Sequence, residues 1–348
     1  MGVPLSGTLP AGTGSPKALP IASIVLAMGG LLLLGWVTWS ALKPNPLHYR
    51  YQLIAEGPVA EFPDLGLPDR PALSIRKYEI RADGHDQPLA SLHVGRNAQL
   101  DRVLLDWQNQ LTEPLFTLTA SAPELAALTT AIATHLPRDS MLLGWWDTTR
   151  RLKLLSDIET PFDENLALPL LLPTAWSDQR GTIETAEQRF WQVPDDSPSA
   201  AAFERFQEAL LADEATAVGI FRELAGNDNE VYLALHLSDA FKLGALQPER
   251  FGIGYRDFPN TGDLHSTIRN IKNWLREQGY KTYTAENRDA NVVRVYFLTN
   301  AASENALIAQ ALPFTKSQSM DLKIMRVVYQ HLGYWVYKIP AADRGTDS

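Results

Sequence analysis

The stretch that decides the fold runs from Leu115 to Trp146. Leu115-Phe-Thr-Leu-Thr119 reads as a strand, and Ser121-Ala-Pro-Glu124 opens a helix that runs to about His135. Pro137-Arg138-Asp139 then breaks the chain, before Met141-Leu-Leu-Gly-Trp-Trp146 reads as a buried strand. Ser121 with Glu124 matches a capping box, and Leu125, Leu128 and Ile132 share one helical face. A strand, a helix and a second strand in that order predict a partly parallel sheet.

Working outward, Leu73 to Ile80 and Val103 to Trp107 read as strands. Gly57 to Pro71 carries Pro58, Pro63, Pro68 and Pro71 and reads as an extended segment. Ser177 to Trp191 and Ala200 to Leu224 read as helices, the second broken near Asp213. Pro194-Asp-Asp-Ser-Pro198 between them is a candidate sub-boundary. Val231 to Leu237 reads as a strand, Leu264 to Gln278 as a helix closed by Gly279, and Tyr280 to Ala285 and Val292 to Leu298 as strands. Glu304 to Leu312 reads as a helix, with Ile324–Tyr329 and Tyr334–Ile339 a terminal strand pair. The fold class is α/β: a single N-terminal transmembrane helix followed by a mixed α/β extracytoplasmic domain.

The transmembrane assignment rests on Ala18 to Leu42, which contains no charge and is bounded by Lys17 and Lys43. A helix needs roughly 20 residues to span about 30 Å of hydrocarbon. A cleaved signal peptide has a shorter apolar stretch, so retention is expected although Thr38 and Ser40 make a passable cleavage pair. Trp36 and Trp39 sit where aromatic rings favour the interface. The expected organisation is a tail at 1–17, the anchor at 18–42 in membrane lipid, and a linker and extended segment at 43–71. The domain follows at 72–340, and a second tail at 341–348. The positive-inside rule is nearly a tie here. The short Gly/Pro/Ser/Thr tail favours a cytoplasmic N-terminus, which puts the domain in the periplasm on the inner membrane.

Composition narrows function by exclusion. The chain has 348 residues and a formal charge of −9, with no basic cluster, so nucleic acid is excluded as a partner. The absence of cysteine excludes disulfides, thiolate metal sites and covalent c-type haem. No P-loop, G-x-S-x-G, H-E-x-x-H or dinucleotide fingerprint occurs. The seven histidines include no i,i+4 pair. His85 and His93 with Asp83 and Asp86 are a weak metal candidate against a solvated turn at Asp83-Gly84. No metal and no cofactor is expected, and catalytic residues are not assigned.

Binding candidates fall in two clusters. The first is Gly144-Trp-Trp-Asp-Thr-Thr-Arg-Arg151, with Trp145, Trp146, Asp147 and Arg150. It follows an apolar strand, where α/β proteins place ligand contacts. Asp147 reads either as a helix cap or as a charged member of a recognition site. The Trp-Trp-Asp run is similar to a motif of oligosaccharyltransferase catalytic subunits. Those need many membrane spans, and the likeness is taken as coincidental in function. The second cluster is Asp239 and Lys242, one helical turn apart, with Asp257, Asp263 and His265. Its plain reading is an ion pair and a helix cap, and its sharper reading is a general acid–base site. Gly333-Tyr-Trp-Val-Tyr-Lys338 alternates as a strand and is expected to pack in the core, with a partner-binding aromatic edge as the sharper alternative.

Taken together, the N-terminal anchor, Gly144–Arg151, Phe190-Trp191, Gly252-Ile-Gly-Tyr-Arg-Asp-Phe-Pro259, Gly262-Asp-Leu-His265, Leu312-Pro-Phe-Thr315 and Gly333–Lys338 resemble the HaoB family of hydroxylamine oxidation accessory proteins. The resemblance implies a protein encoded beside the multihaem hydroxylamine oxidoreductase of ammonia- or methane-oxidising bacteria. It implies a non-haem, membrane-anchored docking role, with that enzyme or its electron-transfer chain as partner. It assigns no catalytic residue. The alternatives are a periplasmic enzyme using carboxylates around Asp257 and Asp263, or a small-molecule or lipid-binding domain around Trp145-Trp146.

Overall fold

Apolar positions with a period of two build three sheets. The computed structural model describes residues 25–26, 28–36, 47–68, 70–118, 121–226, 230–260, 262–288, 290–317 and 322–341. Strands β1 (Tyr49–Pro58), β2 (Ser74–Ala82), β3 (Ala90–Arg96) and β4 (Val103–Asn109) form an antiparallel meander. Residues 49–58, within the stretch expected as linker and extended segment, form a strand, and β3 has no counterpart in the sequence reading. One face of this sheet contributes Ile80, Leu92 and Trp107 to a cluster with Phe116 and Trp191. A buried carboxylate ties the same face down: Glu187 accepts hydrogen bonds from the hydroxyls of Tyr49 (2.6 Å) and Tyr51 (2.7 Å).

The central sheet has the order β10 (Arg326–His331), β11 (Tyr334–Ile339), β6 (Val231–His236) and β5 (Met141–Gly144). Only β5 and β6 run parallel. The partly parallel sheet is present, but the strands that make it differ from those expected. Leu115–Thr117 forms isolated bridges, one of them between Phe116 and Leu171, and joins no sheet beside β5. The helix between them is real: α1 (Ala122–His135) begins with Ser121 Oγ accepting the Glu124 N–H at 3.5 Å. The parallel partner of β5 lies some ninety residues further on, across α2 (Trp146–Ser156), α3 (Arg180–Trp191), α4 (Pro198–Leu211) and α5 (Glu214–Ala225). The expected helix from Ser177 is a 3-10 turn over Thr174–Gln179 that leads into α3.

Helices cover both faces of the central sheet, which is why its strands are apolar on both sides. Leu143, Leu233, Leu235, Trp335 and Tyr337 pack with Phe203, Phe206 and Phe221 of α4 and α5. On the other face, Leu142, Tyr232, Ala234 and Val336 pack with Leu125, Leu128, Leu152 and Leu155 of α1 and α2. The aromatic run at Tyr334–Tyr337 is therefore core, on an interior strand. Helix α6 (Leu237–Leu246) follows β6 directly. A third, antiparallel sheet of β7 (Ile253–Pro259), β9 (Val292–Leu298) and β8 (Tyr283–Asn287) packs on α7 (Leu264–Gln278) through Phe258, Ile271, Leu275 and Phe297. A short helix, α8 (Leu307–Ala311), completes the described elements where a longer one, Glu304–Leu312, was expected.

Residues 47–348 form one compact unit and residues 1–46 another. The expected anchor at 18–42 lies largely outside the described residues, of which 25–26 and 28–36 are helical and exposed. No helix among the described residues is long and apolar enough to cross a membrane.

Candidate functional site

Two strand-to-helix junctions lie side by side because β5 and β6 pair in parallel. Each strand ends and its helix begins within two residues, so α2 and α6 start next to one another at the carboxyl edge of the sheet. In open α/β sheets ligands commonly bind at this edge. The close approach requires Gly144: a Cβ there would sit 2.7 Å from the Ala234 carbonyl oxygen.

The junctions bring four charged side chains together. Asp147, in the first turn of α2, pairs with Arg151 one turn later. Its other oxygen lies 3.5 Å from Lys242 Nζ on α6. Lys242 also reaches Asp239 Oδ1 at 3.1 Å, and Asp239 Oδ2 accepts the His236 backbone N–H at 2.8 Å. All four are buried. Two carboxylates face two cations, so the network is balanced within itself.

Electrostatics follow from this burial. Burial acts most strongly on Asp147 and would raise its pKa, but Arg151 and Lys242 together outweigh it and hold the carboxyl low. Burial raises Asp239 against the pull of Lys242. His236 is pushed down to about 3, first by burial and then by Lys242, Arg288 and Arg151. Its Nδ1 accepts the Ser238 N–H at 3.2 Å and caps α6. A neutral imidazole of such low basicity does not activate the Ser238 hydroxyl 2.7 Å away.

The two expected clusters therefore merge in part. Asp147, Asp239 and Lys242 meet, while Arg150 turns away. Its Nε donates to the Asp163 carbonyl at 3.0 Å and its Nη2 to the Asp101 carbonyl at 3.1 Å, and burial pushes its pKa down to about 10. Arg151, not Arg150, is the partner of Asp147, as i,i+4 spacing on a helix would have indicated. Asp147 is not the N-cap either: Trp145 holds that position, without a side-chain bond. The strand expected to reach Trp146 ends at Gly144, and both tryptophans are buried. Lys242 Nζ lies 5.5 Å from the Trp145 ring centre, and Trp146 Nε1 donates to the Leu168 carbonyl at 2.6 Å. A cavity of about 50 Å³ beside Trp146 is lined by Trp107, Phe116, Leu168 and Trp191 together with Asp147 and Lys242. Neither ring offers a face to a macromolecular partner.

Asp257, Asp263 and His265 stand apart from the network. Asp257 forms a two-pronged pair with Arg294, each distance 2.7 Å. Asp263 caps α7, accepting the His265 N–H at 3.0 Å and the Ser266 hydroxyl at 2.7 Å. His265 is exposed on that first turn. His85 lies on the exposed Asp83-Gly84 turn, while His93 faces Asp106 on the neighbouring strand. No three His, Asp or Glu side chains among the described residues are placed to share a metal.

Comparison with known proteins decides the family. The model of the family described as "HaoA-associated protein HaoB" matches residues 15–339. The chain belongs to the HaoB family. A search of curated proteins gives no match. Among solved structures, the C. jejuni pglb C-terminal domain is similar at 12% identity and a TM-score of 0.35, covering 62% of this chain and 99% of that one. That similarity is too low to carry fold or function across to this HaoB-family chain.

Proposed function

We propose that the chain is a non-haem accessory protein that docks to hydroxylamine oxidoreductase, or to the proteins receiving its electrons, from an anchored position outside the cytoplasm. The observation that carries this reading is the match, over residues 15–339, to a family described by its association with HaoA. The network at Asp147 supports a non-catalytic role. Its four charges satisfy one another, its histidine is a weak base, and no cysteine is present to act as nucleophile. The absence of cysteine also excludes covalent c-type haem. The uncharged run at 18–42 supports the anchor.

Chemical crosslinking in native membranes, followed by affinity capture of the full chain, tests the partner. The oxidoreductase or a protein receiving its electrons is expected in the crosslinked species, and the absence of both while the chain crosslinks elsewhere refutes the docking. Alkaline extraction tests the anchor separately: the chain is expected in the pellet, and its release into the supernatant refutes anchoring. Protease added to spheroplasts is expected to digest the domain, and protection refutes the topology.

A further inference from the structure

A cleft of about 960 Å³ lies between the first sheet, the start of α1 and strand β8, with His236 on its wall. Its volume lies in the range of small-molecule sites. Two imidazoles stand on its wall with different partners. His93 Nδ1 lies 3.3 Å from Asp106 Oδ2, and the carboxylate is itself braced by Gln108 Nε2 at 3.1 Å. In the neutral ring, Nδ1 donates to that carboxylate and Nε2 is the acceptor. His93 is only 9% exposed, and its Nε2 has no protein partner among the described residues. His236 has the reverse arrangement. Its Nδ1 accepts a backbone N–H, so Nε2 carries the proton, next to Gly333.

The charges of the cleft point one way. Glu61, Asp64, Asp106, Glu124 and Glu286 line it against Lys77 and Arg288. Glu124 and Glu286 are each raised chiefly by burial, Glu124 further by Glu286, and Arg288 pulls both down. Glu286 is already paired with Arg288 at 3.3 Å, while Glu124 has no ion-pair partner among the described residues. The two carboxylates therefore outnumber their one cation and gain from another, and an anion is disfavoured. No three ligating side chains converge for a metal among the described residues, whereas an ammonium group offers hydrogen bonds to separated acceptors. We propose that this cleft binds a small organic amine in its ammonium form, with Glu124 and Glu286 as charge partners and His93 Nε2 as hydrogen-bond acceptor. The Nε2–H of His236 is then available to an acceptor atom elsewhere on the ligand.

The test uses the full chain in detergent micelles, labelled with nitrogen-15 at histidine and titrated with putrescine. Sodium chloride at matched ionic strength and succinate are the controls. A saturable shift of one imidazole resonance is expected with putrescine alone, and His93→Asn identifies that resonance by removing it. Glu124→Gln and Glu286→Gln are each expected to weaken binding at least about tenfold, the weight of one charge-assisted hydrogen bond. Arg288→Gln is expected to tighten it by removing the competing cation, which keeps the test decisive if a Glu variant does not fold. No saturable shift, an equal response to sodium chloride or succinate, or unchanged affinity in the folded variants overturns the proposal.

Discussion

Lys242 Nζ lies 3.5 Å from Asp147 Oδ1, so one ion pair joins two helices that begin some ninety residues apart in the chain. Both side chains are nearly free of solvent, and removing one member of a buried pair strands the charge of the other. Asp147→Asn is expected to cost about 3–5 kcal/mol of stability. Asp147→Asn with Lys242→Met removes one charge of each sign and is expected to recover part of that loss. Urea unfolding of the two single variants and the double reads the coupling, and simple additivity contradicts the pairing. Oxidoreductase capture by the folded fraction is expected to remain normal, because the buried segment presents no surface to a partner.

His236 makes stability depend on pH. The folded protein holds it near 3 while an unfolded chain titrates it near 6.5. Between those values the unfolded state binds the extra proton, so stability falls as pH falls, by up to about 1.4 kcal/mol per pH unit. The raised carboxyl of Glu187 acts in the opposite sense, as do those of Glu124 and Glu286. His236→Asn keeps a capping acceptor and removes the titration. Melting curves from pH 7 to pH 5 are expected to descend less steeply for this variant, and parallel slopes refute the assignment.

Gly333 and Gly279 both have left-handed backbones, with φ of 80° and 79°. A Cβ at Gly279 meets open space, while one at Gly333 would sit 2.6 Å from His236 Nε2. Gly279→Ala is expected to cost about 1 kcal/mol from the backbone alone. Gly333→Ala adds the displacement of the imidazole and is expected to cost about 1–3 kcal/mol more. Equal losses in denaturant unfolding would remove the case for close contact.

Asp263→Ala is expected to cost about 0.5–2 kcal/mol through loss of the α7 cap. Unchanged oxidoreductase capture at a temperature where the variant is folded would agree with a structural role for Asp263. A loss of capture with no loss of stability would make Asp263 part of the docking surface.

What the sequence disclosed was local. Asp263 before Leu264 and Gly279 after Gln278 mark both ends of α7, and Asp213 separates α4 from α5. Those signals lie within a few residues of what they control. The pairing of β5 with β6 depends on residues some ninety positions apart, and nothing in Met141–Gly144 names Val231–Ala234 as its partner. For the same reason the sequence marks Asp147 and Lys242 separately and does not join them. Arg151 was within reach, since it stands four residues after Asp147 on a helix. His236 was not, because histidine is an unusual cap and its role appears only where a strand turns directly into α6. The amine cleft is assembled from several separate elements, and periodicity carries no trace of it.

The position of β11 bears on how the protein is made. Tyr334–Ile339 lies between β10 and β6, so the middle of the central sheet is filled by residues near the end of the described chain. A ribosome delivers those residues after nearly everything they pack against. Until they arrive, β6 has an open edge and the apolar side chains that will cover Trp335 and Tyr337 face water. A chain interrupted before residue 334 would hold most of its helices and lack the strand that closes its core. Such a product exposes apolar surface and an unpaired strand edge, and is prone to aggregation.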